Sequence, residues 1–83
     1  MTLHILKIQP KYYNAKRKGA KLWEIRTNDR NFKVGDLVHY INVDGSEFRI
    51  GKDNLYKITY VLTHEEFNGL AKGYCTFSEE KIN

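Results

Sequence analysis

Glycine and proline cut this chain into short pieces, and only one piece suits a helix. The fixed φ and missing N–H of Pro10 fit the first turn of a helix, residues 11–18 contain no breaker, and Gly19 can take the left-handed conformation that closes a helix end. The spacing therefore predicts a helix of about two to three turns over residues 11–18. The other apolar segments are of strand length, so the chain must bury its core mainly with sheet.

Residues 4–8 form a short apolar run with β-branched side chains on both faces, which predicts a strand covered on both sides. In residues 22–26 the alternation predicts that Trp23 and Ile25 face the core while Leu22, Glu24 and Arg26 share the other face. Val34-Gly35-Asp36 reads as a corner before a strand over residues 37–43, and Asp44-Gly45 signals a hairpin into the run 47–50. Residues 51–54 break the pattern, and residues 55–63 resume it as the longest strand, with Tyr56, Ile58, Tyr60 and Leu62 on one face. Thr63 caps a short helical turn near 64–69, residues 74–77 read as a last strand, and residues 78–83 read as a frayed tail. The sum is one α+β domain over residues 1–83, mainly β: five to six mostly antiparallel strands in a meander, rolled into a small barrel, with one main helix after the first strand.

The chain has 83 residues, room for one core and not for separate binding and catalytic domains. No stretch is long and apolar enough for a membrane helix, and the first residues lack the features of a secretion signal, so a cytoplasmic location with no membrane partner is expected. Cys75 is the single cysteine, which excludes an internal disulfide and predicts a buried, inert thiol. His4, His39 and His64 are too scattered for a metal site, so no metal and no cofactor is expected; a monomer is favoured.

Charge is unevenly spread. Residues 1–33 hold nine Lys or Arg against two acids, while residues 34–83 hold five against eight. A clustered positive excess of this kind attracts phosphates and other anions. Part of it has a structural explanation, since Lys16, Arg17 and Lys18 fall where the helix macrodipole is negative.

The string from Gly19 to Arg26 reads G-x-K-x-x-E-x-R, directly after the helix, with the Gly35-Asp36 corner about ten residues on. In this setting the chain resembles the ASCH family (activating signal cointegrator homology), a branch of the PUA-like fold, and looks like its small bacterial and phage members. The resemblance covers essentially the whole chain. It implies a PUA-like β-barrel, a basic cleft between barrel and helix lined by the motif, and a role in binding RNA or a nucleotide.

The residues agree chemically with that role. Lys21 is a point charge suited to a phosphate, Arg26 a planar fork for phosphates or base edges, and Glu24 can hold the guanidinium or accept from a base amine. Arg30, Lys16, Arg17 and Lys18 are candidate outer contacts; Tyr12 and Tyr13 could stack unpaired bases, and Tyr13 is the candidate chosen of the two. Two other functions are weighed. Some proteins similar in fold are amidohydrolases acting on N4-acylated cytidines through a Lys, a Thr and a Glu; here Lys21, Glu24 and Thr27 would have to serve, although Glu24 occupies the position where the Thr stands. A protein-interaction domain is the other.

Overall fold

In the computed structural model, which describes residues 1–48 and 55–82, the elements are β1 (Leu3–Ile8), α1 (Pro10–Arg17), β2 (Trp23–Thr27), β3 (Leu37–Asn42), β4 (Leu55–Thr63) and β5 (Tyr74–Lys81). The described strands make one sheet in the order β1-β3-β4-β5-β2. Only β3, β4 and β5 form the expected meander. β1 runs parallel to β3, and β2 lies at the far edge against β5. A parallel pair needs a crossover connection, and α1 and β2 lie within it.

The sheet curls into a half-barrel whose two edge strands, β1 and β2, face each other across an open seam. Arg26 on β2 bridges it, Nη2 donating to the Lys7 carbonyl of β1 at 2.8 Å. The concave side holds the core, built from Leu6, Ile8, Tyr13, Phe32, Val38, Tyr40, Tyr56, Ile58, Cys75 and Phe77. Each fully buried large side chain in such a core stabilises by roughly 1.5–3 kcal/mol.

α1 forms as expected. Pro10 opens it, Tyr12 and Tyr13 donate their N–H groups to the Gln9 carbonyl, and Gly19, at φ 81°, donates to the Lys16 carbonyl as the helix ends. Tyr13 and Lys16, three residues apart, are its buried face.

Several strand expectations are corrected. β1 is covered on one side only: His4, Leu6 and Ile8 point inward while Leu3, Ile5 and Lys7 are exposed. β2 is inverted. Glu24 points inward and is 5% exposed, whereas Trp23 and Ile25 are 47% and 53% exposed on the convex side. The reason is Lys16, which the helix delivers into the interior beside β2, where an ammonium needs a carboxylate more than a second apolar ring.

In β4 the register shifts between Ile58 and Tyr60, the mark of a β-bulge. Tyr56 and Ile58 stay buried, Tyr60 turns outward, and Val61 packs against the core instead. The expected single face of Tyr56, Ile58, Tyr60 and Leu62 is therefore broken at its middle. The tail over residues 78–83 is not frayed through its described part. β5 continues to Lys81, with Cys75, Phe77 and Glu79 alternating inward.

The Asp44-Gly45 turn forms, Gly45 donating to the Asn42 carbonyl, but Glu47 and Phe48 are not strand, and the rest of the run 47–50 lies outside the described residues, as does the break at 51–54. Residues 64–69 make hydrogen-bonded turns, with Phe67 N–H on the Thr63 carbonyl. The Gly35-Asp36 corner fastens β1: the Asp36 carboxylate accepts from Thr2 N–H, Lys33 N–H and His4 Nε2.

Candidate binding cleft

β2 presents Glu24 and Arg26 to the concave side, and the loop after α1 brings Lys21 beside them. Glu24 is the centre of the group. Its Oε2 lies 2.5 Å from Lys21 Nζ and 3.0 Å from Lys16 Nζ, and its Oε1 accepts from Arg26 Nε at 3.1 Å. Burial works against the charge on Glu24, but Lys16 and the hydrogen bonds from Lys21 and Lys16 outweigh it and hold the carboxyl below its ordinary range.

Behind Glu24 lies a second carboxylate that the sequence reading missed. Lys16 Nζ is 2.6 Å from Glu79 Oε2, and the Tyr40 hydroxyl donates to Glu79 Oε1 at 2.5 Å. Burial raises the Glu79 carboxyl above its usual range in spite of Lys16 and Tyr40. Burial, with Glu79 and Glu24 nearby, also pushes the Tyr40 hydroxyl far upward, so it remains a donor. The Lys16 ammonium lies 4.7 Å from the Tyr40 ring centre, a cation–π arrangement in a site sealed from water. The alternation Cys75, Phe77, Glu79 was the available signal, but a carboxylate at the third position reads as surface until its cation is known.

A cleft of about 300 Å³ opens in front of Glu24, at the seam between β1 and β2. Lys7, Ile8, Gln9, Tyr12 and Val43 line one side and Lys21, Glu24, Ile25 and Arg26 the other. Lys21 stands between two rings, its Nζ 4.6 Å from the Trp23 centre and 5.6 Å from the Tyr12 centre, and also donates to the Trp23 carbonyl. Arg26 spends Nε on Glu24 and one N–H of Nη2 on Lys7; the other three N–H groups of its fork have no partner among the described residues.

Of the residues singled out in the sequence, Lys21, Glu24 and Arg26 thus meet in one concave place. Glu24 serves there as an anchor, because its oxygens are already engaged. Lys16 is no outer contact: it is wholly buried behind Glu24. Tyr13 is no stacking surface for a ligand, since it is buried and stacked on Phe48 with centroids 3.8 Å apart; Tyr12 is the ring that borders the cleft. Arg17, half-buried, gives its carbonyl to Lys81 Nζ and does not line the cleft; neither do Lys18 and Arg30, both exposed. Thr27 falls on the same side of β2 as Trp23 and Ile25, away from Lys21 and Glu24, so its hydroxyl is not where the amidohydrolase reading needs it.

Burial raises the Cys75 thiol, with Asp29 adding to the effect, which leaves it a poor nucleophile. His39 is half-buried on β3, its Nε2 2.7 Å from Glu47. Among the described residues no three His, Cys, Asp or Glu side chains gather as metal ligands, and no helix is long and apolar enough to cross a membrane.

Fold and cleft together define a small, mainly β half-barrel domain with a charged seam. The chain belongs to the DUF3850 family, a domain of unknown function, whose sequence model matches residues 3–78. A search of curated proteins finds no match.

Proposed function

We propose that this chain is a binding module of the ASCH type that takes RNA or a nucleotide in the cleft between β1 and β2. The observation that carries the reading is that Lys21 Nζ and the Arg26 guanidinium are tethered to the same buried carboxylate and line the same cleft. Pre-positioned in this way, the two cations lose little side-chain freedom when an anion arrives. A guanidinium with three N–H groups unpartnered among the described residues can take a phosphate in bidentate fashion, and Lys21 adds a second charge. Tyr12, which borders the cleft beside that charge, supplies a ring face suited to an unpaired base.

The test is titration of a short single-stranded RNA at two salt concentrations. Two phosphate contacts on a single strand give a log–log salt slope of about −1.4, which is roughly sevenfold weaker binding between about 50 and 200 mM salt. Lys21→Ala and Arg26→Ala should each flatten that slope by about 0.7. Absence of RNA binding at low salt, or a slope that both variants leave untouched, would retire the proposal.

A further inference from the structure

The backbone around the cleft offers hydrogen bonds as well as the side chains. Along a strand, backbone groups point alternately to one neighbour and to the other. Leu22 gives its carbonyl to Glu79 N–H and Asn28 gives its N–H to the Gly73 carbonyl, so the even-numbered residues of β2 face β5. Trp23, Ile25 and Thr27 therefore turn their N–H and C=O groups toward the open seam. The Trp23 carbonyl agrees with this, because it accepts from the ammonium groups of Lys21 at 3.0 Å and Lys16 at 3.5 Å rather than from β5.

On β1 the Thr2 carbonyl takes Leu37 N–H of β3, so the even-numbered residues face β3 and Lys7 faces the seam. Its carbonyl is spent on Arg26. Ile25 thus presents one donor and one acceptor side by side, and Lys7 one donor, to a cleft that also holds the Lys21 and Arg26 cations.

We infer that this seam reads the hydrogen-bonding edge of one unpaired nucleobase through the backbone N–H and C=O of Ile25, with the nucleotide's phosphate held by Lys21 and Arg26. The inference rests on the nucleic-acid reading above and gives it a ligand unit. An adjacent donor and acceptor in one plane complement the lactam edge of uracil or guanine, or the amino–imine edge of adenine or cytosine, so a base is required without one base being demanded. An extended peptide would satisfy the same backbone pair, but it brings no phosphate for two cations. The volume of about 300 Å³ lies at the low end of ligand pockets, which span about 300–1,000 Å³, and fits one nucleotide rather than a duplex.

Three ligands and one variant test it, each measured by calorimetry at low salt: uridine 5′-monophosphate, its N3-methyl derivative, ribose 5-phosphate, and Ile25→Pro. Proline is tolerated where an edge strand turns its N–H outward, and here it deletes the one donor in question. The expected result is that ribose 5-phosphate binds at least tenfold more weakly than uridine monophosphate and N3-methylation costs at least fivefold. Ile25→Pro, if circular dichroism shows it folded, should weaken uridine monophosphate by at least fivefold more than it weakens ribose 5-phosphate.

Equal binding of ribose 5-phosphate and uridine monophosphate would overturn the inference and leave the anion-binding reading standing. So would N3-methyl and unmodified ligands of equal affinity, a comparison that needs no variant. Displacement of uridine monophosphate by an uncharged strand-forming peptide would overturn it in favour of strand addition. Failure of every nucleotide and of RNA to bind would remove both readings together.

Discussion

The Lys16 ammonium lies 2.6 Å from the Glu79 carboxylate, and neither side chain has any exposure to solvent. Glu24 shares the same ammonium at 3.0 Å, so one buried cation serves two carboxylates and leaves Glu24 placed to organise the cleft.

Replacing that cation should be costly. Lys16→Met removes the charge but fills similar space, leaving Glu79 buried without its cation while Glu24 keeps Lys21 and Arg26, and breaking one side of a buried pair costs about 3–5 kcal/mol. Glu79→Gln keeps Lys16 paired with Glu24 and should cost less, about 1–3 kcal/mol. Urea unfolding of both variants checks the order; a Lys16→Met protein as stable as the parent would show that the network contributes nothing.

Acid should unfold the protein through Glu24 and Asp36. Both carboxyls are held below their ordinary ranges in the fold. For Asp36 burial opposes ionisation, but the hydrogen bonds from His4, Thr2 and Lys33 win. A depressed folded pKa contributes stability that is present above the unfolded value and lost as pH falls through the folded one, so stability should decline progressively below about pH 4.5. Glu79, with a raised pKa, has the opposite sign and offsets part of that loss. Asp36→Asn should lower stability at neutral pH and make the curve shallower below about pH 4; thermal melts across pH 2–7 read both, and an unchanged acid slope would count against the assignment.

Trp23 is the only tryptophan and is nearly half exposed beside Lys21. Its fluorescence should be readily quenched by acrylamide in the free protein, as an outward ring would be. RNA or a nucleotide in the cleft should reduce that quenching, and Lys21→Ala should abolish the reduction. Emission typical of a buried indole would contradict the inverted face of β2.

Cys75 should resist thiol reagents in the native protein and react fully in urea. It has no exposed surface, and its thiol is shifted upward by burial. Rapid native labelling would mean that the sheet opens around β5.

Local signals in the sequence located the helix, its glycine end, the Asp44 turn and most strand positions, because each is decided within a few residues. They failed where a distant partner decides. Trp23 and Ile25 alternate as a core face should, yet Lys16, in another element, draws Glu24 inward and turns both outward. Tyr60 follows the alternation of β4 until the bulge after Ile58 displaces it. Glu79 could not be placed without the cation that neutralises it. The cleft was legible in part: Lys21, Glu24 and Arg26 come together, whereas Tyr13 and Lys16 are used for packing and charge balance inside. The choice between Tyr12 and Tyr13 depends on which way the helix rolls, and the backbone of Ile25 carries no sequence mark at all, since its role depends on which strand edge is left unpaired.

The place of β5 in the sheet has a consequence for synthesis. β2 emerges from the ribosome before β3 and β4, but the strand it hydrogen-bonds to, β5, comes after both of them in the chain, and the same strand delivers the carboxylate that neutralises Lys16. A nascent chain must therefore hold this helix and β2 without their neighbours until β5 has been made, and a product stopped short of Glu79 would keep a lysine that has too few anions to be buried.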